Sequence, residues 1–277
     1  MNLSARVSVY FPNPDANRLL SCTTALAICA HQDDIEMMAY HAIAECFGKA
    51  GKWFCGVIVT DGGGSPRTGE YADYTDAQMA ALREKEQNKA AMMGDYLAQF
   101  HLKYSSRQAK DPGQRSVVED LEQILLATRP SLVLTHNLSD AHDTHVAVAL
   151  RAIAALRNIR ADYRPEQFFG MEMWRGLDWN GERILFDASA RPALATALIA
   201  AHDSQISGGK RYDVAIAGRR VANATFFESH AVDTMTAGSF GVDMLRYLDD
   251  ADPLEDVIAA IDAFRTDVCD RIQRLIG

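Results

Sequence analysis

Two short stretches hold most of the residues able to do chemistry. The first is His31, Gln32, Asp33, Asp34, Ile35, Glu36, which follows the apolar run Leu26 to Ala30. Such a run reads as a buried strand, and the periodic apolar segment from Ile35 to Gly51 reads as a helix. The polar residues therefore sit where a strand hands over to a helix, which is where open α/β sheets place their ligands. One aspartate there is commonly a helix cap, with Glu36 favoured by the positive end of the dipole. Two adjacent aspartates after a histidine ask for more, because neighbouring carboxylates repel unless a positive charge lies between them. A metal ion supplies that charge, and histidine with carboxylate is a zinc-type donor set that needs a third donor from elsewhere.

The second stretch runs from His136 to His145 and contains His136, Asp140, His142, Asp143 and His145, in a chain with only eight histidines. It follows the apolar run Ser131 to Thr135 and leads into a very apolar helix beginning near His145. A lone histidine at a helix start is usually satisfied by a backbone group. His142 and His145, three apart at an equivalent strand end, are better explained by a site shared with His31 and Asp34.

The first stretch, from Ala30 to Glu36, resembles the Ala-His-Pro-Asp-Asp-x-Glu signature of the LmbE-like, or PIG-L, zinc-dependent N-acetylglucosaminyl deacetylases. It departs at Gln32, where the family usually has proline. The second resembles the family's Asp-x-His-Pro-Asp-His signature, with Asp143 and Thr144 standing where proline and aspartate are usual. That displaces the acid expected to orient His142, leaving Asp140 and Asp143 as candidates. Asp61, Gly62 and Gly63 resemble the family's Thr-Asp-Gly-Gly loop after its second strand. Arg83 and Glu86 resemble its Arg-x-x-Glu pattern, in which the arginine contacts the sugar. Residues 198–205, with His202, resemble an Ala-Leu-x-x-His-x-Ser-Gln helix; His202 reads equally as pocket lining or as a packing residue. The resemblance covers roughly residues 25–205. It implies one Zn2+, or another divalent ion such as Fe2+, held by His31, Asp34 and His145. Asp33 would be the general base, His142 the oxyanion stabiliser and acid, and Asp61, Gly62, Gly63, Arg83 and His202 the substrate contacts.

The elements that must position these residues follow from the chain. Residues 1–23, broken by Pro12 and Pro14, are expected to be irregular and to wrap a sheet edge or a neighbouring subunit. Residues 53–60 read as a second strand. The glycines of residues 61–66 match no phosphate-binding spacing, so a nucleotide-binding oxidoreductase is disfavoured. A helix is expected from Thr75 to about Gln99, then a strand from His101 to Tyr104, a loop through Gly113 and a helix over 116–128. Strands are expected over 168–174 and 183–187, and an amphipathic helix from about Leu254 to Ile276. The alternation predicts a Rossmann-like α/β fold with a mostly parallel sheet and helices on both faces. It reads as a single domain over residues 1–277, with a helical segment from about 235 to 277.

The 277 residues, 48% of them hydrophobic, can bury a sizeable core, and the net charge of -9 argues against nucleic acid or an anionic membrane as partner. Five cysteines without paired spacing read as reduced thiols in a cytoplasmic protein. No apolar run is long enough to span a membrane. The expected partner is a small N-acylated amino sugar, with a homo-oligomer also compatible. The expected function is therefore removal of an N-acetyl group from an amino sugar or its glycoside. The alternatives are an amidase acting on a thiol-sugar conjugate or a longer N-acyl sugar, and a non-catalytic metal- or sugar-binding relative.

Overall fold

A computed structural model describes all residues from Met1 to Gly277. Strand β1 (Ser8–Tyr10) and a 3-10 helix (Pro14–Cys22) precede β2 (Ala25–Cys29), which leads into α1 (Asp34–Met38) and α2 (Tyr40–Cys46). Then come β3 (Phe54–Thr60), α3 (Asp76–Met93), β4 (Ala98–Tyr104), α4 (Ser106–Lys110), α5 (Arg115–Thr128), β5 (Leu132–His136), α6 (Asp143–Asn158) and β6 (Gln167–Met171). The chain closes with β7 (Ile184–Asp187), α7 (Pro192–Ala200), α8 (Asp203–Gln205), α9 (Tyr212–Ala224), β8 (Gly238–Asp243) and α10 (Pro253–Ile276).

All eight strands form one sheet in the order β1-β4-β3-β2-β5-β6-β8-β7. The five central strands, β4-β3-β2-β5-β6, are parallel, while β1, β7 and β8 join antiparallel. Successive strands run outward from β2 to one side and from β5 to the other. The crevice between the carboxyl ends of β2 and β5 is thus the switch point at which open α/β sheets bind ligands. Strand β2 is Ala-Leu-Ala-Ile-Cys, buried throughout, as expected for a parallel strand covered on both faces. Helices α5 and α6 cover one face of the sheet, with Leu121, Ile124, Val148 and Ala152 in its core. The α1–α2 pair, α3, α7 and α9 cover the other, through Ile35, Ala90, Leu198 and Ile216.

The chain departs locally from the sequence-based expectations. Residues 1–23 are not irregular: Ser8, Val9 and Tyr10 pair with β4 and cover that edge. The helix expected over 35–51 is broken at Ala39, whose ψ of 15° interrupts the turn. The helix beginning at Thr75 has its expected cap, a reciprocal pair of bonds between Thr75 and Gln78, but stops at Gly94. The residues assigned to its end instead begin β4 at Ala98. The loop expected before Gly113 contains α4, announced by a second capping box between Ser105 and Gln108.

Candidate metal centre

At the end of β2 the chain turns tightly. The His31 N–H donates to Asp34 Oδ2 at 2.8 Å, and the Ala30 N–H donates to His136 Nε2 at 3.0 Å. Asp33 occupies the cap position of α1 with φ of 98° but makes no capping bond, so its carboxylate is left for other work. Non-glycine residues reach positive φ rarely, aspartate and asparagine more readily than most. The Gln87 side chain holds this backbone by accepting from the Asp33 N–H at 3.1 Å. At the end of β5, His142 caps α6 by accepting from the Thr144 N–H at its Nδ1.

These two turns bring His31, Asp34 and His145 together. His31 Nδ1 lies 3.2 Å from His145 Nε2, and Asp34 Oδ2 lies 3.3 Å from the former and 3.4 Å from the latter. Donors about 2.0–2.1 Å from a tetrahedral ion are roughly 3.3–3.4 Å from each other, so the triangle has the size of one metal coordination face. The three residues can hold a divalent metal. Behind His145, Asp140 Oδ1 lies 3.3 Å from Nδ1, the outer carboxylate that fixes a ligand imidazole.

The electrostatics suit a cation. Burial lowers the pKa of His31 to about 4, leaving the neutral imidazole that binds metal. Burial would raise Asp34, yet the charge of His145 and hydrogen bonds from His136 and His31 hold it well below the usual carboxylate range. Burial also disfavours charge on His145, but Asp34 and Asp140 overcome it and raise that pKa. Two anions thus favour positive charge between them. Asp33 behaves differently: burial pushes it up to about 7, opposed by the Arg83 guanidinium.

The cleft above the triangle holds about 260 Å3 and is walled by His31, Asp33, Asp34, Arg83 and His142. Arg83 Nη2 reaches Asp33 Oδ2 at 3.1 Å and the Gln32 carbonyl, while Nη1 donates to Ser65 Oγ. Gly62 lies on the wall with φ of 71°; a Cβ there would collide with Gln32 Oε1 and crowd Arg83. Gln32 also ties the two loops, its Nε2 lying 3.2 Å from the Thr60 carbonyl oxygen and 3.3 Å from that of Asp61.

Other expected contacts lie off the wall. The Asp61 carboxylate accepts from the Gly63 N–H at 3.0 Å, forming the turn, and neither residue lines the cleft. A Cβ on Gly63 would press on the Asp76 backbone, so that glycine serves close packing. His202 is buried, its Nε2 3.1 Å from Glu36 Oε2, and does not line the cleft. Glu86 accepts from the Ser204 N–H and hydroxyl at 2.7 and 2.6 Å, which spends its carboxylate on α8. Neither Asp140 nor Asp143 orients the His142 ring: Asp140 takes its backbone N–H at 2.9 Å and backs His145 instead.

Residues given no role from sequence complete the walls: Thr144, Trp174, Gln205, Tyr212, Ser106 and Lys110. Trp174 and Tyr212 pack with ring centroids 4.7 Å apart, and the Trp174 N–H donates to Asp140 Oδ2 at 3.0 Å. Trp174 ends a segment read as a strand, so the strand-end rule itself could have found it. Tyr212 carried no such signal.

No curated protein matches the chain by sequence. Among solved structures, it is similar to N,N'-diacetylchitobiose deacetylase from Pyrococcus horikoshii at 19% identity and a TM-score of 0.62, covering 81% of this chain and 85% of that one. GalB, the 4-carboxy-2-hydroxymuconate hydratase from Pseudomonas putida KT2440, matches at 18% identity and a TM-score of 0.58, covering 80% and 95%. The A40926 pseudoaglycone deacetylase Dbv21 matches at 17% identity and a TM-score of 0.56, covering 79% and 95%. These likenesses show a shared fold. The family described as PIG-L, GlcNAc-PI de-N-acetylase, matches residues 26–156, a span that contains both polar turns. Over that span, just under half of the chain, it is similar to the PIG-L (LmbE-like) family.

Proposed function

We propose that the chain is a zinc-dependent hydrolase that removes the N-acetyl group from an amino sugar or its glycoside. The observation that carries this reading is the His31, Asp34, His145 triangle, with edges of 3.2–3.4 Å, opening into a cleft that Asp33 and His142 also line. Three protein donors leave a coordination position free, the arrangement of catalytic zinc sites. When bound, zinc lowers the pKa of water toward about 7 and polarises a carbonyl oxygen.

The remaining chemistry belongs to side chains. Asp33, ionised beside a divalent cation, takes the proton of the attacking water. Arg83 holds the carboxylate in place and balances its charge. Burial lowers the pKa of His142, so its ring is neutral. Because its Nδ1 accepts from Thr144, its proton sits on Nε2, where it can donate to the oxyanion as the carbonyl becomes tetrahedral. Breaking the C–N bond then requires a proton on the departing amine, which Asp33 supplies from the one it took from water. Trp174 and Tyr212 offer an apolar flank for a sugar ring. The structures described as N,N'-diacetylchitobiose deacetylase and A40926 pseudoaglycone deacetylase support the amide-hydrolase class.

Zinc is the metal we assign, and the whole chain is read as one α/β unit. The five free cysteines favour a reducing compartment such as the cytoplasm. No helix is long and apolar enough to cross a membrane.

A second reading has one observation in its favour. Lys110 lines the cleft and makes no ion pair, which suits a carboxylated substrate of the kind named for the hydratase GalB. An assay of acetate and free-amine release across N-acetylated amino sugars, with zinc-loaded and chelated protein, tests the primary reading. Chelator-sensitive release of both products is the expected result. Hydration of a carboxylated alkene, with no N-acyl sugar cleaved, would replace it.

A further inference from the structure

Helix α10 is 24 residues long, roughly 36 Å at 1.5 Å per residue, and none of its residues is buried. Its first half leans on the body through one side only. Asp256 Oδ2 pairs with Arg246 Nε at 2.7 Å, Val257 and Ala260 line a crevice with Trp179, and Phe264 meets the Trp179 ring with centroids 6.2 Å apart. A second stripe runs beside that contact: Leu254, Ile258, Ile261, Arg265, Val268, Ile272 and Leu275. Their spacing alternates four and three over the whole helix, the repeat of a coiled-coil seam, with Arg265 alone polar. Leu254, Ile258, Ile261, Ile272 and Leu275 are 65%, 43%, 49%, 52% and 82% exposed. A seam this long, apolar at six of its seven positions, is not ordinary surface, and a helix lacking buried contacts has little to hold it.

Charge selects the occupant and its direction. The first half carries Asp252, Glu255, Asp256 and Asp262 with no base, whereas the second carries Arg265, Arg271 and Arg274 against Asp267 and Asp270. A second copy running parallel would set acid against acid. An antiparallel copy sets each acidic half beside a basic one and stacks Leu254 on Leu275, Ile258 on Ile272 and Ile261 on Val268. The acidic surplus also disfavours an anionic bilayer as the covering surface.

We propose that α10 pairs antiparallel with α10 of a second copy of this chain, so that the protein is a two-fold dimer joined at a seam remote from the metal centre. Sedimentation equilibrium of the full chain should give twice 30.5 kDa at micromolar concentration. Ile258→Glu with Ile261→Glu, at positions already exposed, should leave the fold and the metal content intact. It should weaken dimerisation more than about 100-fold, because each copy would bury two unpaired carboxylates. Direction is read by disulfide capture. Ile261→Cys and Val268→Cys proteins, both carrying Cys269→Ser, should cross-link through α10 when mixed and not when kept apart. A monomeric wild type, or a dimer untouched by the double glutamate variant, would overturn the proposal. Efficient cross-linking of Ile261→Cys with itself would overturn the antiparallel direction, and binding of the wild-type monomer to anionic vesicles through α10 would replace the second copy with a membrane.

Discussion

At the end of β2 the buried acids are tied to residues far along the chain, while at the end of β5 His142 and the rear of the His145 ring are held by near neighbours, even though His136 accepts from the Ala30 N–H and His145 Nε2 faces His31 and Asp34. Glu36 accepts from Gln87 Nε2 at 2.8 Å and Tyr96 O–H at 2.7 Å, and it faces His202 at 3.1 Å across 166 residues of sequence. Asp33 is held by Gln87 and Arg83, more than 49 positions away. By contrast, His142 accepts from Thr144, and His142 and His145 both meet Asp140, within five positions. The difference follows from charge rather than burial, since His136 and His145 are as buried as the acids. Carboxylates sunk between β2 and three helices must find partners or neutralise, and such partners can only come from other elements. Histidines at a helix start can be satisfied locally. The first turn therefore binds function to the stability of the fold, and the second is open to adjustment.

The sharpest way to break this contrast is to separate the two aspartates of the first turn. Asp33→Asn preserves shape and tolerates the positive φ, so the protein should fold and keep its metal. It should nevertheless lose roughly 10²–10⁴ in rate, the range for removing a general base. Asp34→Asn should instead show metal loss by elemental analysis, with activity partly regained on adding zinc. If Asp33→Asn turns over normally, the base lies elsewhere and this turn is only a metal clamp.

A smaller effect should come from below the cleft. Glu36→Ala leaves His202, Tyr96 and Gln87 facing a void, and breaking a buried pair of this kind costs about 3–5 kcal/mol. Urea denaturation should report that loss, and the metal should still bind in the variant's folded fraction. A midpoint close to wild type would mean the long-range ties at the first turn carry little weight.

The smallest effect is expected at the second turn. Thr144 is buried next to His142 and lines the cleft. Thr144→Asp adds a carboxylate that favours imidazolium, so the His142 titration followed by NMR should move upward. The rate should change by less than about tenfold, since the His142 ring is exposed to the cleft and water there screens its charge. A collapse of stability on the scale of Glu36→Ala would show that the second turn is as constrained as the first.

Much of this arrangement could be read from the residues. Buried strands announce themselves as short apolar runs, and both polar turns follow such runs directly, so their meeting at one sheet edge follows from the order of strands and helices. The helix that overran Gly94 shows the limit: residues 95–99 suit a strand as well as a helix, and only pairing with β3 decides. The ties of Glu36 were hidden because nothing local marks a carboxylate whose partners stand 51, 60 and 166 positions away. His202 and Glu86, which the motif-like segments singled out, are buried and bonded to Glu36 and Ser204, partners that nothing in their own segments foretells. Tyr212 reaches the cleft from the start of α9, and its neighbours in sequence give no hint of that.

His31 and His145 stand 114 residues apart, and their approach depends on the seam between β2 and β5. That seam pairs three residues, whereas β2 pairs with β3 over five. A chain emerging from its N-terminus therefore offers two donors early and the third only after a large loop has closed, at an entropic cost borne by the sheet. An ion held across the seam acts as a reversible staple. It ties the half of the sheet built outward from β2 to the half built outward from β5, and it stabilises the native state by an amount that grows with the logarithm of its free concentration. Supply of the metal thus governs how firmly the two halves stay closed, as well as whether the cleft can work.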